Sequence, residues 1–159
     1  MDILLTAFRG TSSELLIQDS KYNTLLLLSN KKTDVEMLFS ALHKHAYDYI
    51  ISFGQRPLIK DKICIETTAQ NADHKIDTTM NCVFLIDLFE KNGVSAKLSH
   101  NAGTSYCNNL YWHGLSYIAE QNLKTKMVFI HVPFSQNIKD ITDFSQKISN
   151  VMCLIANGF

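Results

Sequence analysis

The amino-acid sequence predicts an α/β fold, a single-domain α/β/α sandwich around a mostly parallel sheet. Two observations predict it. Short, nearly continuous apolar runs such as Ile3–Phe8, Tyr47–Phe53 and Lys126–Val132 suit strands buried on both faces. Between them lie stretches with apolar residues at helical spacing, the alternation that builds a parallel sheet covered on both sides. The chain of 159 residues can bury one sizeable core, and its only prolines, Pro57 and Pro133, mark no linker. Residues 1–159 are therefore expected to form one domain.

Ile3–Phe8 is the first expected strand. Arg9-Gly10-Thr11-Ser12-Ser13 reads as a turn, with Ser12 or Ser13 capping a brief helix through Ile17. Asn23 to Ser29, with four consecutive leucines, reads as a second strand by its length and its flanking asparagines. Thr33 and Asp34 can cap a helix carrying Val35, Leu38, Phe39, Leu42 and Ala46 on one face. A strand over 47–53 follows, closed by Gly54, and then a loop containing Gln55, Arg56 and Pro57. Lys62–Thr67 alternates like a strand, whereas Asn71–Thr79 is polar and irregular. Met80–Lys91 is helical in spacing and stops at Asn92-Gly93. Val94–Ser99 is strand-like, and a helix begins near Ser105 or Tyr106. The last strand ends at Pro133, and Asp140–Ala156 forms an amphipathic helix.

Lys plus Arg and Asp plus Glu number 15 each, so the formal charge is zero and no basic stripe marks a nucleic-acid site. Cys64, Cys82, Cys107 and Cys153 are widely spaced and form no CxxC pair, as expected of a reduced, cytoplasmic protein. The opening Met1-Asp2 is acidic where a signal peptide is basic, and no apolar run is long enough for a membrane span, so no membrane partner is expected.

Glu66, Cys107 and His131 each fall at or just after an expected strand end, where α/β sheets gather functional groups. Cys107 lies in the first turn of a helix, where unpaired N–H groups and the helix dipole stabilise a thiolate. It is therefore expected to react as a low-pKa thiol, unlike Cys64, Cys82 and Cys153. With an imidazole to move the proton and a carboxylate to orient the imidazole, such a thiol can attack a carbonyl. Taken singly, each residue also has an ordinary structural use: a small buried thiol, a strand-end histidine satisfied by backbone, an exposed carboxylate.

Ala102-Gly103-Thr104-x-x-Cys107-Asn108 resembles the nucleophile motif of the pyroglutamyl peptidase I (pyrrolidone-carboxylate peptidase) family of cysteine peptidases. Phe129-Ile130-His131-Val132-Pro133 is similar to the segment carrying that family's histidine. Ile63-x-Ile65-Glu66-x-x-Ala69-x-Asn71 is similar to its acid segment, with Phe53-Gly54-Gln55 upstream, and Met1-x-Ile3-Leu4-x-Thr6-x-Phe8 resembles its opening strand. The four blocks occur in family order. The resemblance implies a phosphorylase/hydrolase-like sandwich and a cytosolic Cys-His-Glu exopeptidase that removes N-terminal 5-oxoproline without metal or cofactor. It implies Cys107 as nucleophile, His131 as base then acid, and Glu66 as the group orienting His131. It further implies substrate contacts from Phe8, Gln55, Asn71, Lys75, Ile76, Ser105 and Tyr106. The partner implied is a peptide or small acyl-amide substrate, with a homo-oligomer allowed.

The chain departs from the family in its specificity elements. The Pro-Phe-Gly-Gly loop after the first strand is replaced by Arg9-Gly10-Thr11-Ser12, which leaves Phe8 alone as its aromatic. Ser105 stands where the family has an aromatic, Tyr106 where it has a small aliphatic, and Lys75 where it has an arginine whose planar fork lysine lacks. The segment between the acid motif and the next helix shrinks to about Asp77-Thr78-Thr79, and Asp77 is a fallback acid should Glu66 point away. The alternative expectation is a degenerate member that binds a small ligand or peptide without turnover. His43 and His45, two residues apart on a helix, do not share a face for a metal, and His113 is too far along its helix to reach the thiol.

Overall fold

A computed structural model describes residues 1–20 and 24–158. Among the described residues eight strands and five α-helices follow in the order β1 (Ile3–Phe8), α1 (Ser12–Ile17), β2 (Thr24–Leu28), α2 (Asp34–Lys44), β3 (Tyr49–Arg56), β4 (Lys62–Glu66), β5 (Thr68–Asn71), β6 (His74–Asp77), α3 (Cys82–Lys91), β7 (Ser95–Ser99), α4 (Tyr106–Glu120), β8 (Lys126–Pro133) and α5 (Ile141–Asn157), with a 3-10 turn at Ser135–Asn137 before α5. The expected start of the second strand at Asn23 lies outside the described residues. None of the helices among the described residues is long and apolar enough to cross a membrane.

Six strands form one sheet in the order β2-β1-β3-β8-β4-β7. Pairing is parallel throughout except between β8 and β4, which are antiparallel, so β4 and β7 run against the other four. The sheet is mostly parallel, as its apolar runs predict, with all of β1 and nearly all of β8 buried. One face packs Leu5, Phe53, Ile65 and Ile130 against α1, α3 and α5. The other packs Leu4, Ile50, Met127 and Phe129 against Leu38 of α2 and Leu110 and Tyr111 of α4.

The cap expected of Ser12 or Ser13 is not made: both lie inside α1, whose N-cap is Thr11, with no side-chain cap hydrogen bond. Asn81 and Asp140 accept the Phe84 and Asp143 N–H groups at the starts of α3 and α5. Thr33 is the N-cap of α2 but makes no side-chain cap, because Asp34 is buried and turned backward onto Ser29 N–H, Ser29 Oγ and Lys31 N–H. Asn71–Thr79 is not irregular: β5 and β6 pair as an antiparallel hairpin over 68–77. Its polar sequence carries little apolar alternation because β6 is largely exposed. Arg56 and Gln55, expected in a loop, instead extend β3, since pairing with β8 continues to Arg56 opposite Pro133. That extension carries Arg56 toward the site described next.

Candidate active site

The side chains at the candidate site share one sheet face through the two-residue period of strands. On β3 the face carries Ser52, Gly54 and Arg56, and on β8, in register with them, Phe129, His131 and Pro133. On β4, Cys64 lies opposite His131 and Glu66 opposite Phe129. His131 Nδ1 is 2.7 Å from Glu66 Oε1, with His131 3% and Glu66 0% exposed. A carboxylate can only accept, so Nδ1 carries the proton of this bond and Nε2 is left as the basic nitrogen. The two residues do not meet at a shared carboxyl edge of parallel strands, as strand-end reasoning expects. They meet across the β4–β8 ladder, the antiparallel one of the six-stranded sheet, where Glu66 reaches diagonally to a residue two places beyond its partner.

Cys107 enters from the helix layer, in the first turn of α4. A Cβ added to Gly54 would lie 2.7 Å from Cys107 Sγ and 2.8 Å from Phe129 Cζ, so the sulfur rests on the bare backbone of the residue paired with His131. The Phe129 ring contacts the His131 imidazole, with centroids 4.9 Å apart. Tyr111, one helical turn beyond Cys107, donates its hydroxyl proton to the Glu66 carbonyl at 2.9 Å and so fixes α4 over the end of β4. Asn108 makes a second tie. Its Nδ2 donates to Gln70 O at 2.8 Å, and its Oδ1 accepts from Gln70 N–H at 3.1 Å.

The expectation of a low-pKa thiol is corrected. Burial pushes the Cys107 thiol up to about 11, and hydrogen bonds from the Ser105 side chain and from Cys107's own backbone offset it only in part. The helix start cannot win because Cys107 is only 8% exposed and belongs to the buried cluster that holds Phe8, Ala102, Leu110 and Phe129. Ser105, the N-cap of α4, makes no side-chain cap. The resting thiol therefore keeps its proton.

The remaining candidates scatter. Ser105 and Asn71 line a cavity of about 440 Å³ at the N-terminus of α4, together with Gln70, Asn108, Trp112 and His113. Phe8 is on the same face as Cys107 but is buried in the core. Gln55 points to the opposite face, where its Oε1 accepts the Ser12 N–H at 3.1 Å, because it alternates with Gly54 and Arg56. Lys75 is exposed on β6, Ile76 packs beside the Cys107 cluster, and Tyr106 is 40% exposed. Asp77 accepts a hydrogen bond from Thr68 Oγ1 at 2.6 Å and does not contact His131. His100 is hydrogen-bonded to Thr67 Oγ1 at 2.6 Å. His45 follows α2 as its C-cap, extended and off the helix. Among the described residues no group of three or more His, Cys, Asp or Glu side chains is arranged to hold a metal ion.

Sequence reasoning missed two of these residues. Arg56 donates from Nη1 to Glu66 Oε1 at 3.1 Å, and Tyr111 holds the Glu66 backbone. The signal for Arg56 was the alternation Ser52-x-Gly54-x-Arg56, legible only once β3 is extended past Gly54.

Residues 78–155 match the family described as pyroglutamyl peptidase. A pyrrolidone-carboxylate peptidase of Oceanobacillus iheyensis is 35% identical over 66 residues, which is 40% of this chain and 33% of that protein. One of Fusobacterium nucleatum is 29% identical over 126 residues, 65% of this chain and 58% of that protein. The matched stretches thus span between a third and three fifths of these relatives' own lengths. In fold, the chain is similar to pyrrolidone carboxyl peptidase from Fervidobacterium islandicum AW-1, with a TM-score of 0.85 at 16% identity over 99% of both chains. The chain is thus similar to the pyroglutamyl peptidase family over residues 78–155, and in fold to a pyrrolidone carboxyl peptidase over nearly its whole length.

Proposed function

We propose that the chain is a cysteine exopeptidase that removes an N-terminal 5-oxoproline, or a closely related small acyl group, from peptides. Cys107 is its nucleophile, His131 its base and then acid, and Glu66 the residue that orients His131. The observation that carries this reading is the 2.7 Å contact of His131 Nδ1 with the buried Glu66, beside a sulfur seated on Gly54.

Because the thiol is protonated at rest, attack requires His131 Nε2 to take its proton as the sulfur approaches the carbonyl carbon. A C–S bond forms and the carbonyl electron pair moves to oxygen. In this reading the backbone N–H groups that open α4 stabilise that oxyanion. Collapse breaks the C–N bond, the imidazolium gives its proton to the leaving amine, and a thioester remains. Water activated by the same nitrogen then releases the acid and restores the thiol. Glu66 keeps Nδ1–H engaged throughout, which fixes the tautomer and stabilises the transient imidazolium. The cavity beside Ser105 and Asn71 offers polar groups for the rest of the peptide.

The test is release of a chromogenic amine from its pyroglutamyl amide by the full chain. Turnover is expected, and its loss in both Cys107→Ser and His131→Ala. Turnover on another acyl amide but none on the lactam would keep the chemistry and reject 5-oxoproline as substrate. Ligand binding without turnover is the second reading, favoured by the burial and raised pKa of Cys107. Saturable binding of the lactam amide with no amine released would establish it instead.

A further inference from the structure

We propose that Arg56 is a positioning residue whose fixed charge opposes uptake of an extra proton by the Glu66–His131 pair. The proposal rests on the role assigned above to that pair. Glu66 Oε1 receives both His131 Nδ1 at 2.7 Å and Arg56 Nη1 at 3.1 Å. Its other oxygen, Oε2, is buried with no hydrogen-bond partner among the described residues. A carboxylate that is 0% exposed and half-satisfied is under strong pressure to be neutralised. It can take a proton itself, draw one onto His131, or hold a cation that never titrates. Either of the first two disables the imidazole as a base or as an oriented group.

Arg56 supplies the third. Its guanidinium is always charged, and its side chain is two-thirds buried, at 34% exposure. The same Nη1 lies 3.2 Å from Asn101 O and 3.4 Å from Ser99 Oγ, in the turn that leads from β7 to the Cys107 helix. One nitrogen therefore touches both the acid of the pair and the segment that delivers the thiol.

The other ionisable groups facing this region do not substitute for it. Cys64 and Lys62 lie on β4 and Lys97 on β7, in register with Cys64. Cys107 and Tyr111 come from α4, while Asp77 and His100 are engaged with Thr68 and Thr67. Among the described residues, only Arg56 and His131 form ion pairs with Glu66.

A proton added to the pair is repelled by the nearby guanidinium, so removing that charge raises the pair's apparent pKa. Titration of the His131 Cε1–H resonance in the full chain, compared between wild type, Arg56→Gln and Arg56→Lys, tests this. The midpoint is expected to move up by roughly one pH unit in Arg56→Gln, at the low end of the effect of an adjacent opposite charge. Arg56→Lys retains most of the wild-type midpoint. The acid limb of turnover moves up with the titration. Arg56→Met, which keeps the apolar stem, replaces Arg56→Gln should that variant not fold. An unmoved or lowered midpoint in the neutral variant, or equal shifts in the neutral and lysine variants, overturns the proposal. The resonance is read without turnover. An inactive wild type with a shifting midpoint therefore sinks the triad reading alone, and an active wild type with no shift sinks the role of Arg56 alone.

Discussion

Gly54 and Cys107 share a space that holds only one side chain: a Cβ on Gly54 would lie 2.7 Å from the cysteine sulfur. Gly54 pairs with His131 in the β3–β8 ladder, so the missing side chain lets the thiol settle over the backbone next to the imidazole. Gly54→Ala is expected to push either the sulfur or the Phe129 ring aside. Turnover of a pyroglutamyl amide should fall by about a hundredfold, the usual result of a misplacement near 1 Å, with a stability cost of about 1–3 kcal/mol. Unchanged turnover in a folded Gly54→Ala protein would mean that the sulfur does not work from this seat.

Thiol chemistry gives a second outcome. With Cys107 pushed up to about 11, its alkylation by iodoacetamide at pH 7 should be slower than that of free glutathione and rise with pH toward 11. Under the proposed mechanism turnover at pH 7 should persist, because there His131 removes the proton only during attack. Fast alkylation at pH 7 would reveal a preformed thiolate and reject the general-base step.

Alkaline stability follows from the same burial. Cys107 and Cys82 are both pushed up to about 11 by burial, Cys64 is raised by burial as well, and the Tyr111 phenol is pushed up further. Below the ordinary thiol pKa of 9.0 the folded and unfolded chains are equally protonated, and their full stabilising contribution is present. As pH rises through 9 toward 11, the unfolded chain releases these protons first and stability falls. The loss should be on the order of 1–3 kcal/mol per thiol, measured as a drop in urea midpoint between pH 8 and 11. Cys82→Ala should blunt the drop, and equal slopes in the two proteins would exclude a contribution from Cys82.

Asn108 offers a structural prediction. Its amide pairs with both the N–H and the C=O of Gln70, replacing a strand neighbour that β5 lacks on that side. Asn108→Ala leaves both groups without this partner and should cost roughly 1–3 kcal/mol. Hydrogen exchange of the Gln70 amide should accelerate before global unfolding does. If exchange there tracks global stability in both proteins, the hairpin does not depend on this tie.

By itself the sequence determined the alternation of strands and helices, the apolar runs of β1, β3 and β8, the helical spacing of α3 and α5, and the ordered blocks around Glu66, Cys107 and His131. These are local properties of periodicity and of residue type at fixed spacing, which a single chain displays without its fold. Tertiary structure alone decided the reversal of β4, which sets Glu66 diagonal to His131, because strand direction leaves no trace in a five-residue run. It decided that Gln55 and Arg56 belong to a strand and face opposite ways, which sends Gln55 away and gives Arg56 to Glu66. It also decided the state of Cys107. Position in the first turn of a helix favours a thiolate, but burial against Phe129 and Gly54 outweighs it, since desolvation depends on what the rest of the chain packs over the sulfur.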